Sequence, residues 1–272
     1  MKKTLIIILF IFIMLCGCSK EQQEEITSTT ESTIIINTKN AKEYLKKEDY
    51  KSLAYAYIYN LKSGINSYES NTTGKVSAKV LFIDYLIDYN SKTIKKGNTY
   101  FVKDHSTSAL MNVDNEFYMV DNSKILYSKD LKKYDVYDLE DFHTISYSPD
   151  QYTIMGYVFN DESILSAELI SNEEDNISIK YILDNDLATN LVKKDMKNSG
   201  GLSEYPIFYN IEFTITFTND IIPISYAIHT EYDAAKKILG KSRATQDSKC
   251  VISKINEEVT IENEEYYAEL LG

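Results

Sequence analysis

The chain has 272 residues, 43% of them hydrophobic, with 29 Lys and Arg against 41 Asp and Glu, so its formal charge at pH 7 is −12. So acidic a surface is repelled by nucleic acid and by anionic phospholipid and favours basic or cationic partners. Three cysteines, two of them within the first eighteen residues, leave no room for a disulfide framework.

The chain opens with Lys2 and Lys3 and an unbroken apolar run from Leu5 to Leu15, too short to span a bilayer and of the right length for a signal-peptide core. Leu15-Cys16-Gly17-Cys18 follows it and resembles a bacterial lipobox. That resemblance implies cleavage after residue 17, a diacylglycerol thioether on Cys18 and attachment to the extracytoplasmic face of the cell membrane. Loss of Lys2 and Lys3 would take the formal charge to −14. An acidic domain so placed relies on its acyl chains, at about 0.8 kcal/mol per buried methylene. Residues 18–38, including the polar run Ser19 to Thr33, have the composition of a disordered tether. About twenty such residues reach roughly 25 Å as a flexible coil.

Residues 39–272 contain no Pro/Gly-rich linker or charge block and read as one domain. Leu53, Ala54, Tyr57, Ile58 and Leu61 recur at helical spacing, Tyr44 and Leu45 extend the same face, and Gly64 ends the helix. A helix with one apolar side is expected. From Val76 to Phe82 the period changes to two, and Leu81 to Ile87 continues the strand. Short strands are then predicted at Thr99 to Lys103, Ala109 to Val113, Glu116 to Val120 and Ile125 to Ser128, parted by Gly97-Asn98, Asp114-Asn115 and Asp121-Asn122. This is an antiparallel meander.

Ser148-Pro149-Asp150-Gln151 resembles a capped helix start and predicts a second helix to about Phe159. Ala167 to Ser171 and Ile177 to Leu183 predict a hairpin, and Leu187 to Met196 a third helix. Ile211 to Thr218 alternates without fault, Asn219-Asp220 turns the chain, and Pro223 to Thr230 returns it. Pro223 lacks an amide hydrogen and belongs at a strand start or an edge. An irregular stretch with Ile238 and Leu239 then leads to a last strand, Cys250 to Ile255.

Eight to eleven strands with few helices give an α+β class: a curved antiparallel sheet whose concave face is covered by helices. The order of elements, from lipobox and tether through the helix ending near Gly64 and the meander to the hairpin Phe213 to Thr230, resembles the LolA-like half-barrel of Gram-positive surface lipoproteins. That resemblance implies a non-enzymatic protein. The group includes carriers of acyl chains and GerS-type germination lipoproteins, which bind a cell-wall amidase.

The residues themselves supply no chemistry that contradicts this. His105, His143 and His229 show no metal-binding spacing, Gly200-Gly201 lacks the residues of a phosphate loop, and no nucleophile elbow occurs. Asp184-Asn185-Asp186 begins like a calcium loop but has Thr189 and Asp195 where Gly and Glu are required. No catalytic residue, metal or cofactor is therefore expected, and the site assigned is the lipidation site Cys18. Cys250 reads as a small core hydrophobe. Twenty-three Tyr and ten Phe suit either a pocket lining or a protein-contact surface. Two classes of function stay open. One is a support that binds a cell-envelope protein, a cell-wall or spore-cortex amidase by the resemblance; the other is a carrier or sensor of a lipid or other hydrophobic ligand. Open sheet edges would also allow a strand-exchanged homodimer.

Overall fold

A computed structural model describes residues 40–80, 83–109, 112–121, 123–138, 152–173, 176–200, 202–237 and 240–272. The signal peptide, Cys18, the tether, His143 and the proposed cap at 148–151 lie outside the described residues.

Two helices come first. Asn40 caps α1 (Ala41–Lys46) by accepting the Lys42 amide at 2.8 Å, and Asp49 caps α2 (Tyr50–Tyr59) through the Ser52 amide at 3.2 Å. A π-helical turn, Asn60–Gly64, closes α2, and the Ile65 amide bonds the Asn60 carbonyl. Gly64 ends the helix as its sequence indicates. The expectation of one apolar side is corrected: every residue from Leu53 to Ile58 is buried. Ala54 and Ala56 are small enough to let neighbours close on the helix, and Tyr55 meets the Tyr152 ring at 5.1 Å.

Five strands follow: β1 (Ser67–Val80), β2 (Ile83–Lys96), β3 (Thr99–Ser108), β4 (Asn112–Val120) and β5 (Lys124–Ser128), with β6 (Asp135–Asp138) beyond them. The predicted continuous strand from Val76 to Ile87 is instead a hairpin, with Val80 opposite Ile83. Both arms are apolar at alternate positions, so periodicity alone does not betray the reversal. Of the strand predicted at Ala109 to Val113, Ala109 follows the end of β3, residues 110–111 lie outside the described residues, and Asn112 and Val113 open β4, inside which Asp114-Asn115 lies.

The predicted second helix is corrected as well. Residues 153–158 form a tight hairpin, β7 (Thr153–Ile154) with β8 (Tyr157–Val158). β-branched and aromatic residues favour the strands, and Met155 and Gly156 both take positive φ (52° and 78°), as a two-residue type I′ turn requires. β9 (Ile164–Glu173) and β10 (Asn176–Leu183) make the expected hairpin, and α3 (Asn190–Gly200) starts three residues later than predicted. The Asp184 carboxylate accepts the amides of Asp186 and Leu187 and so holds the turn before α3. β11 (Ile207–Phe217), β12 (Pro223–Lys236) and β13 (Gly240–Ser253) complete the sheet, with Pro223 at a strand start. The predicted last strand, Cys250 to Ile255, is only the tail of β13.

The eleven long strands form one antiparallel sheet in the order β6-β5-β4-β3-β2-β1-β13-β12-β11-β10-β9. Its centre joins the first and last strands, and β6 and β9 are its outer edges. α2, α3 and the β7-β8 hairpin pack on one face, here the α2 face, where Leu53, Tyr57, Phe159, Tyr181, Phe213 and Phe217 form the main core. A helix the sequence reading misses, α4 (Glu264–Leu271), lies on the opposite face, its Tyr267 packed on Phe101 and Tyr118. Helices therefore sit on both faces.

Candidate functional site

A cleft of about 620 Å³ crosses the α4 face from β3 to β11, well away from α4 itself. Side chains alternate along each strand, so Thr73 and Lys75 of β1, Asp88 and Asn90 of β2, Thr214 of β11, His229 of β12 and Asp247 and Lys249 of β13 all point into it. Gly74 thins its floor: a Cβ there would stand 2.4 Å from Cζ of Tyr89, whose ring lies across it on the α2 face.

The cleft carries polar side chains of both charges, although more of its lining surface is apolar than polar. Lys75 pairs with Asp88 at 3.4 Å, and Lys180 with Glu212 on the adjoining strands. The His229 ring has Asp247 at 2.7 Å from Nδ1 and Glu231 at 3.7 Å from Nε2. The hydrogen bond that the His229 ring donates to the Asp247 carboxylate raises the His229 pKa, against partial burial. With both ring nitrogens facing carboxylates the imidazole is held toward its cationic form, and a general base is not what this geometry makes. Exposed pairs of this kind contribute about 0.2–1 kcal/mol each, so they shape the cleft more than they stabilise the fold.

The α2 face is different. Phe159, Tyr181, Phe213 and Tyr157 meet edge to face at centroid distances of 5.1 to 6.1 Å. The tyrosine hydroxyls are paired: Tyr57 donates to the Ser225 carbonyl at 2.9 Å, Tyr181 to the Tyr50 carbonyl at 2.7 Å, and Tyr55 to Asp161 at 2.8 Å. Much of the tyrosine content thus fills a core.

One rung on this face changes character midway. Across β4, β3, β2 and β1 it reads Asn115, Asp104, Ser91 and Thr72; across β13, β12, β11 and β10 it continues as Cys250, Tyr226, Ile215 and Ile179. Burial pushes the Asp104 carboxyl up to about 6, against a hydrogen bond with Ser91, yet part of the residue still meets solvent. The folded chain holds this proton more tightly than the unfolded one, whose value is near 3.8, so stability is greatest below that value and falls as pH rises through about 6. Asp104→Asn should therefore raise stability at pH 7 by on the order of 2 kcal/mol, and the gain should vanish by about pH 4, read from urea unfolding at the two pH values.

The residues singled out in the sequence are scattered. His105 bonds Asp114 at 2.8 Å on the α4 face, remote in sequence and partners from His229, and Cys250 is buried in its rung with its thiol pKa raised by burial. Among the described residues no group of three or more His, Cys, Asp or Glu gathers to hold a metal, and no helix is long and apolar enough to cross a membrane. The His229–Asp247 pair and the Asp104–Asn115 pair are absent from the sequence reading. Their partners lie on neighbouring strands, and only the register brings them together.

No protein-family model and no curated protein matches the sequence. Among solved structures, the chain is similar to a DUF1329 family protein from Desulfovibrio piger, with a TM-score of 0.28 and 9% identity over 83% of this chain and 98% of that one. It is also similar to a putative outer membrane lipoprotein-sorting protein domain from Vibrio parahaemolyticus, with a TM-score of 0.26 and 10% identity over 85% and 99%. Likenesses at this level carry no argument about function. The architecture stands on strand order and register.

Proposed function

We propose that this chain is a non-catalytic lipoprotein of the cell envelope, anchored through Cys18 to the cell membrane, whose domain, residues 39–272, is a LolA-like half-barrel that binds and supports another envelope protein. A cell-wall or spore-cortex amidase acting in germination is the partner that the resemblance of sequence layout favours. The single observation behind the binding reading is the contrast between the two faces. Interlocked aromatic rings fill the space between α2 and the sheet, where a carrier would hold an acyl chain, while the open cleft offers ions and hydroxyls. The net charge of −12 suits a basic protein surface better than anionic lipid.

The test is native mass spectrometry of the full chain extracted from its own membranes. A stoichiometric complex with one protein, and no lipid mass beyond the anchor, is the expected result. A defined hydrophobic ligand retained by a chain without a protein partner would make it a carrier and overturn the proposal. The same spectra read any homodimer paired through β6 or β9.

A further inference from the structure

The cleft on the α4 face holds two rows of side chains, and only one of them is satisfied from within. The first runs Asp88, Lys75, Asp247, His229 and Glu212 across β2, β1, β13, β12 and β11, each residue directly opposed to the next, so that charge alternates in sign. Its carboxylates are all matched: Asp88 by Lys75, Asp247 by His229, and Glu212 by Lys180. The second row, two residues further along each strand, reads Asn90, Thr73, Lys249, Ala227 and Thr214. All five line the cleft and none is buried. Among the described residues, Asn90, Thr73, Lys249 and Thr214 enter no side-chain hydrogen bond or ion pair. Lys249 is therefore the one charge lining the cleft without a counter-ion among the described residues, and its sign is opposite to that of the chain as a whole. Ala227, the one short side chain in the row, leaves the Lys249 ammonium open on that side. Strands about 4.8 Å apart make the row roughly 19 Å long, measured along the sheet from Asn90 to Thr214.

We propose that this row binds a small molecule with a single carboxylate on a neutral body rich in amide or hydroxyl groups, as a short peptide's C-terminal end or a sugar acid has. The Lys249 ammonium and the Thr73 hydroxyl beside it donate to the carboxylate, the former as a charge-assisted bond. The Asn90 amide and the Thr214 hydroxyl, which each donate and accept, take up the neutral body. This inference rests on the reading of the cleft as the chain's binding surface and adds the chemistry of what enters it. A cationic ligand would find the carboxylates of the first row already matched. An acyl chain would take water from Lys249 and give nothing back. A multiply charged anion would stand one step from Asp247 and Asp88, which a single carboxylate at Lys249 tolerates better.

The experiment is ligand-observed NMR and calorimetry on the full chain in detergent. The probes are N-acetyl-alanyl-alanine and glucuronate, each beside its uncharged counterpart, the dipeptide's C-terminal amide and glucose. At least one of the two carboxylates is expected to bind with a dissociation constant of about 1 mM or tighter, and its uncharged counterpart at least about tenfold more weakly. Which of the two binds tells a peptide end from a sugar acid. Lys249→Ala should reduce the affinity by about tenfold or more, Lys249→Arg should keep most of it, and Ala227→Leu, which fills the gap beside the ammonium, should weaken it as well. Lys79→Ala, which removes a cation from β1 outside the cleft, should leave it unchanged. Absence of binding by both carboxylates to the unaltered chain overturns the proposal. So does equal binding of a carboxylate and its uncharged counterpart, a comparison that needs no variant, or full affinity in the Lys249→Ala chain. Capture of the envelope partner is read separately, and a captured partner without carboxylate binding would sink this inference alone.

Discussion

Phe213→Ala should destabilise the folded chain by about 3–5 kcal/mol, among the largest losses for any single side chain here. Phe213 is fully buried on β11, opposite Ile228 of β12 and Tyr181 of β10, and the rings of Phe159 and Tyr157 close over it at 5.1 and 5.4 Å. Removing it empties the place where the β7-β8 hairpin rests on the sheet. The hairpin contributes only two short strands of its own and cannot follow the retreating surface without giving up that contact. Each edge-to-face ring pair adds about 0.5–1.5 kcal/mol beyond the area it buries, so two are lost with one substitution. Urea unfolding checks this; a loss below about 1 kcal/mol would mean that the hairpin does not pack on Phe213.

Gly74→Val should cost about 2–4 kcal/mol, although position 74 lies in ordinary extended backbone. The conflict is steric, since the new Cβ would stand 2.4 Å from Cζ and 2.5 Å from the hydroxyl oxygen of Tyr89. Tyr89 cannot swing away cheaply, because its hydroxyl accepts a hydrogen bond from Gln246 Nε2 at 2.9 Å and its ring belongs to the main core. A double-mutant cycle separates this from a general weakness of valine at the site. Combined with Tyr89→Ala, Gly74→Val should cost little more than Tyr89→Ala alone. Additive losses would place the strain elsewhere.

The parts of the fold legible in the sequence are those where one face of a strand is apolar and the other polar. Ile211 to Thr218 is the clearest, since Ile211, Phe213, Ile215 and Phe217 all reach the core, and the Pro223 start of β12 follows from proline's missing donor. The stretches Ser67 to Lys75 and Lys241 to Lys249 carry no such signal, yet they are the two central strands. Their α2-face positions hold Ser70, Thr72, Gly74, Ser242, Gln246 and Ser248, so hydropathy does not alternate. Backbone ladders on both sides hold these strands, and a ladder is invisible to composition. The candidate site was hidden for the same reason. Thr73 and Lys249, like His229 and Asp247, become neighbours only through register.

The seam between β1 and β13 also governs the order of events in folding. β2 to β6 and β9 to β12 can each pair with a neighbour along the chain, but the seam links residues as distant as Glu69 and Ser253, 184 positions apart. Such remote pairing repays its loop-closure entropy late and slows folding. β13 folds back on β12 as a hairpin, so until the seam closes β1 and β13 each present a bare strand edge fourteen residues long, the kind of template on which unfinished chains join one another. The half-formed molecule is thus most exposed to aggregation along the line that later becomes its middle, and a chaperone that shields one strand edge there would protect the whole chain.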